Sequence, residues 1–141
     1  MPEKPWTTYD AVPEDITACK DRYRPDFMWD MDSYVVVLEV DEEQHRTYAE
    51  FCDCARMINL LHMFGRPTFF LRFNPDGYVP CEGRPSASSS EWGLKRRLKT
   101  LQEWLTNSLD SQPEGIGGVL RLFFDGFAGP DSLHWEPLLI V

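Results

Sequence analysis

The chain reads as an α/β protein, a single domain with a mixed central sheet flanked by helices. Three observations predict this. An aliphatic strand pattern near 34–40, a helical spacing over 46–64 and an apolar run over 68–73 follow one another, the order of a parallel crossover. A second helical stripe, Leu94, Leu98, Leu101 and Leu105, is followed by a further strand-like run over 119–124. An extended segment over 24–30 precedes the first strong strand across a short polar connection, which predicts an antiparallel hairpin and so makes the sheet mixed.

Taken in order, residues 1–18 are rich in proline and acid and predict a surface arm before a domain spanning 19–141. The segment 24–30 is the first strand. Asp30-Met31-Asp32-Ser33 supplies the turn, and the second strand runs over 33–41. With a two-residue turn at 31 and 32, Asp30 faces Ser33 and Asp26 faces Val37. Tyr48, Phe51 or Cys52, Ala55, Ile58 and Leu61 or His62 recur at helical steps, and Gly65-Arg66-Pro67 ends that helix. Thr68–Phe73 is apolar enough for a central strand. Asn74-Pro75-Asp76-Gly77 turns the chain, and 78–90 is a loop with a flexible Ser-rich part at 86–90. Ser88 and Glu91 match a capping box for the next helix. After the strand at 119–124, Ala128-Gly129-Pro130-Asp131 turns again, and 133–141 is a last apolar strand.

Composition narrows the classes. The apolar share is that of a folded domain, and no apolar run reaches the ~18 residues of a membrane span. The first residues lack a signal-peptide apolar region, so the expectation is a soluble intracellular protein, in cytoplasm or nucleus, with four reduced cysteines. Cys52 and Cys54 point about 200° apart on a helix, which argues against a shared zinc ion. The net charge of −9 is an awkward sign for a nucleic-acid binder. Acids that hold metal ions, and a local basic patch, reduce that objection.

The candidate site lies on the hairpin. Glu39 and Asp41 sit at the C-terminal end of an aliphatic strand, where unpaired charge is expensive. Alternation places Val37, Glu39 and Asp41 on one face with Asp26, and the diagonal from Asp26 to Glu39 is about 7–8 Å. Carboxylates so placed bracket a divalent cation; solvated acids at an exposed hairpin end are the alternative. Arg56 either pairs with a site acid or reaches phosphate. Lys95, Arg96, Arg97 and Lys99 form either a phosphate-binding face or a solvated one. Arg72, on a central strand, needs a partner, with the site acids as candidates.

Five motifs occur in a fixed order. They are Arg-Pro-Asp at 24–26, Leu-Glu-Val-Asp-Glu-Glu-Gln-His at 38–45, Cys-Asp-Cys-Ala-Arg at 52–56, the 66–78 segment with Arg-Phe-Asn-Pro-Asp, and Leu-Phe-Phe-Asp at 122–125. Together they resemble the PD-(D/E)XK nuclease superfamily, in the branch related to very-short-patch repair endonucleases. More closely they resemble uncharacterised nuclease-like domains of large DNA viruses, algae and oomycetes. The resemblance covers about 19–127. It implies a restriction-endonuclease-like fold and a metal-dependent endonuclease that hydrolyses phosphodiester bonds in DNA. Asp26, Glu39 and Asp41 would bind Mg²⁺, or Mn²⁺, and Gln44 or His45 would assist the attacking water. Arg24, Arg56 and the basic cluster would contact nucleic acid. Asp41 departs from the pattern, standing where most members have lysine. The alternative is therefore a catalytically inactive nuclease-fold module that binds nucleic acid or protein. Nothing in the sequence separates RNA from DNA as partner; no membrane partner is expected, and a homodimer is compatible.

Overall fold

A computed structural model describes residues 8–9, 25–45, 50–81 and 92–138. Among the described residues six strands form one sheet in sequence order: β1 (Thr8–Tyr9), β2 (Phe27–Asp30), β3 (Val35–Val40), β4 (Thr68–Phe73), β5 (Gly117–Leu122) and β6 (Glu136–Pro137). The first three are antiparallel neighbours, β3, β4 and β5 run parallel, and β6 returns antiparallel. Helix α1 (Glu50–Phe64) connects β3 to β4, and α2 (Leu94–Asp110) lies between β4 and β5. The architecture is thus α/β with a mixed sheet, compatible with a restriction-endonuclease-like fold. The arm expected at 1–18 and the Ser-rich loop at 86–90 lie outside the described residues, apart from the two residues of β1.

The central strands are buried on both faces, which is why they are runs of Val, Leu and Phe rather than alternating patterns. On one face Trp29, Val36, Leu38, Phe69, Leu71 and Leu120 pack against Leu101, Leu105 and Leu109 of α2. On the other, Met28, Val35, Val37, Phe70 and Val119 pack against Met57, Leu60 and Leu61 of α1. The Tyr34 hydroxyl donates to the Ser108 carbonyl at 2.8 Å, tying the start of β3 to the end of α2. Gly118 lies at a close approach: a Cβ there would be 3.2 Å from the Trp135 ring, which would have to shift by a few tenths of an ångström.

The hairpin turns one residue later than the polar run suggests. Met31 remains in the ladder, its N–H donating to Tyr34 O at 2.8 Å, and it packs on the core. Asp32, with φ 70°, takes the left-handed turn position that aspartate tolerates, and its N–H donates to Asp30 Oδ1. Moving the turn by one residue shifts the register by two, so Phe27 pairs with Leu38 and Met28 with Val37. An even shift leaves every side chain on its expected face.

Other boundaries also differ. Helix α1 is described from Glu50, and Gly65, with φ 66°, ends it as expected. Gly93 is the N-cap of α2 with no side-chain cap; the Ser88–Glu91 box lies outside the described residues. Only the C-terminal half of the leucine stripe is buried; Leu94 and Leu98 are about half exposed. β5 ends at Leu122 because Phe123 adopts φ 67°, and among the described residues of the expected last strand, 133–138, Glu136–Pro137 are the ones in the sheet. Outside the core, Arg66 bonds Asp30 across the hairpin end. That hydrogen bond, with the Asp32 N–H, holds the Asp30 carboxyl below the usual carboxylate range.

Leu105→Ala is expected to cost ~2–5 kcal/mol, whereas Leu98→Lys on the same helix should change stability by less than about 0.5 kcal/mol. Urea unfolding of both variants checks the burial boundary. Because folding lowers the Asp30 pKa, its stabilisation is present above the unfolded value, about 3.9, and is lost as pH falls through the folded value. The stability gap between wild type and Arg66→Met should therefore be full at pH 5 and above and close towards pH 2.

Candidate functional site at the carboxyl edge of the sheet

Continuing the hairpin register by one residue sets Asp26 opposite Glu39, nearer than the diagonal relation expected. Asp26 Oδ2 accepts the Val40 N–H at 2.8 Å, so its carboxylate stands in for a strand carbonyl and ends the ladder. Glu39 is 3% exposed and shares the α1 face with Val37. Its register partner on β4 is Arg72, whose partner on β5 is Arg121. Two acids and two arginines thus lie in one row across four strands, at the ~4.8 Å strand spacing. Arg121 Nη1 lies 3.5 Å from Glu136 Oε2 on the outer strand.

Asp41 belongs to a different group. It is fully buried, and its Oδ2 accepts the Arg72 Nε–H at 2.6 Å. Arg72, 1% exposed, also bonds Asp53 on α1 through Nη1. The pairing of a buried Arg72 with a site acid matches the requirement read from the sequence. Arg56, expected either to pair with a site acid or to reach phosphate, is buried.

The loops that follow β3, β4 and β5 meet beside this group. The 3-10 turn Glu42–His45 has left-handed backbone at Glu43 (φ 52°) and Gln44 (φ 57°), neither of them glycine. Such positions cost roughly 1–3 kcal/mol each unless the surroundings hold them. Three contacts do so. The Gln44 N–H donates to Asp41 O at 2.9 Å, and the Glu43 N–H donates to Asp76 Oδ2 at 2.8 Å. The Gln44 side chain makes a two-way bond with Asp125: Nε2 donates to Oδ1 at 2.9 Å, and Oε1 accepts the Asp125 N–H at 2.5 Å. Asp125 Oδ1 also accepts the Val79 N–H at 2.7 Å. Buried Asn74 joins the other two loops, its Nδ2 donating to Phe123 O at 2.9 Å and to Gly77 O at 3.1 Å.

A crevice of about 540 Å³ opens here, lined by Glu43, Asp76, Gly77, Tyr78 and Val79. A second cavity of about 390 Å³ shares Asp76, Gly77 and Tyr78 and reaches Trp92 and Arg97. The carboxyl ends of parallel strands are where open α/β sheets bind ligands.

The basic cluster on α2 is divided. Arg97 Nη1 donates to Asp76 O at 2.7 Å, and the Arg96 guanidinium stacks over Trp92 at 3.9 Å. Lys95 and Lys99 are exposed. Arg24 lies outside the described residues, and of His45 only the backbone is described. Cys54 and Cys81 are free thiols, but Cys52 is disulfide-bonded. The expectation of four reduced cysteines fails at Cys52. Among the described residues no helix is long and apolar enough to cross a membrane, and no group of three or more His, Cys, Asp or Glu side chains is arranged to hold a metal ion.

Asp53, Asp76 and Asp125 were not legible as site residues. Asp76 reads as turn chemistry and Asp125 as the residue after a strand; only the loop convergence gives them a shared role. No protein-family model, curated protein or solved structure matches this chain.

Removing Arg72 leaves two carboxylates without their buried cation. Arg72→Met is expected to destabilise the fold by ~3–5 kcal/mol or more, and adding Asp41→Asn should recover part of that loss, both read from urea unfolding.

Proposed function

We propose that the chain is a metal-dependent endonuclease that hydrolyses phosphodiester bonds in DNA. The observation that supports this best is the juxtaposition of Asp26 with Glu39 on one face of the hairpin, at the carboxyl edge of the sheet. Hard carboxylate oxygens fit Mg²⁺ or Mn²⁺ rather than a thiolate-seeking ion. Asp26 and Glu39 would hold it, whereas Asp41, engaged by Arg72, fits the metal less well as a third ligand. Such an ion, when bound, polarises a phosphoryl oxygen and lowers the pKa of a bound water. The chain's own part is to keep the two carboxylates in register, to hold Asp41 against Arg72, and to carry His45 at the end of the strained turn. His45 is the residue whose ordinary pKa suits a proton acceptor near neutrality. Lys95, Arg96 and Lys99 are the exposed cations of the basic cluster available for backbone phosphates.

A second reading, a binding module on a nuclease-like scaffold, is favoured by the Asp41–Arg72–Asp53 group. There a buried arginine occupies acids that would otherwise surround a metal.

Nicking of supercoiled plasmid with Mg²⁺ or Mn²⁺ separates the two. Wild type should nick, and Asp26→Ala and Glu39→Ala should each lose roughly 100-fold or more. A folded wild type that nicks under neither metal leaves the binding module as the function.

A further inference from the structure

The geometry points to Asp125 and Gln44 as a clamp that positions the Glu42–His45 turn for the proposed hydrolysis, an assignment that rests on the endonuclease reading. The resemblance gives Gln44 a place beside the attacking water. Here both ends of its amide are occupied, Nε2 by the Asp125 carboxylate and Oε1 by the Asp125 N–H. A primary amide so held acts as a pin, and the residue it pins against is 81 positions away in sequence.

The turn needs a pin. Two successive non-glycine residues are left-handed, and Glu42 and Glu43 are exposed, so little packing holds them. The clamp reaches further than the turn. Asp125 Oδ1 also takes the Val79 N–H, and the Gly126 N–H donates to Val79 O at 2.6 Å, so the 78–79 wall of the crevice is fixed by the same carboxylate. Asp76 holds the turn's other residue, Glu43. Three motifs far apart in sequence, at 38–45, 66–78 and 122–125, therefore meet at one point, and Asp125 is a positioning residue rather than a catalytic one.

The test is an exchange of partners in the full chain. Gln44→Glu sets carboxylate against carboxylate. Asp125→Asn keeps an acceptor for the Gln44 amide and Val79. Together the two substitutions restore an amide–carboxylate pair with its direction reversed. Gln44→Glu is expected to lower kcat for plasmid nicking about 10–100-fold with KM changed less than about threefold. Asp125→Asn and the double variant should stay within about threefold of wild type. Wild-type kcat in Gln44→Glu, or a double variant no better than Gln44→Glu at unchanged Tm, overturns the clamp. Backbone amide exchange at residues 44, 79 and 125 is measured in the same proteins. It should rise about tenfold or more in Gln44→Glu and return in the double variant; unchanged exchange also overturns the clamp. If wild type does not nick, the endonuclease reading fails, and with it the catalytic purpose of the clamp. The exchange result then decides separately whether the pin itself exists.

Discussion

A guanidinium buried between two carboxylates governs the arrangement at the carboxyl edge. Arg72 lies on the central strand β4 and bonds Asp41 at the end of β3 and Asp53 on α1. A buried charge is tolerated only when its partners are in place, so this group locks together the strand that carries Glu39, the strand beside it and the helix above. It also sets the local electrostatics. Two carboxylates surround this one guanidinium, while Arg121 in the same row as Glu39 and buried Arg56 on α1 add positive charge. Both functional readings start from this point: a metal on the adjacent acid pair, or a fold whose acids are spent on structure.

The acidity of the chain looks different once its partners are known. Asp41 and Asp53 hold Arg72, Asp30 holds Arg66, and Asp26, Asp76 and Asp125 accept the N–H groups of Val40, Glu43 and Val79. These six aspartates organise backbone N–H groups and two arginines, of which Arg72 is buried. The net charge of −9 is therefore partly a consequence of how the loops are built, and bears less on the choice of partner than composition suggests. Arg96 and Arg97 make the complementary point: a basic run in sequence is divided between an aromatic ring and a loop carbonyl.

Parallel topology explains why the crevice is where it is. β3, β4 and β5 run in one direction, so the loops after them emerge together, and each brings a polar residue to the same place. Asn74, Gln44 and Asp125 join those loops to one another rather than to the core. The neighbouring cavities lie along that line of contacts, against Asp76, Gly77 and Tyr78.

By itself the sequence determined the fold class, the order of its main elements and the face on which Glu39 lies. Local periodicity sets those, and alternation along a strand survives an even shift of register. It also required a partner for Arg72, since a cation in an apolar strand cannot stand alone. Boundaries were less legible. Leu94 and Leu98 complete the α2 stripe but extend past the sheet into solvent, and the hairpin turn depends on whether Met31 packs or turns. Only the tertiary structure decided the rest: that Asp41 serves Arg72, that Asp26 stands opposite Glu39, and that Gln44 meets Asp125. Those contacts join residues many positions apart, and no local pattern encodes which distant loop a polar side chain will find.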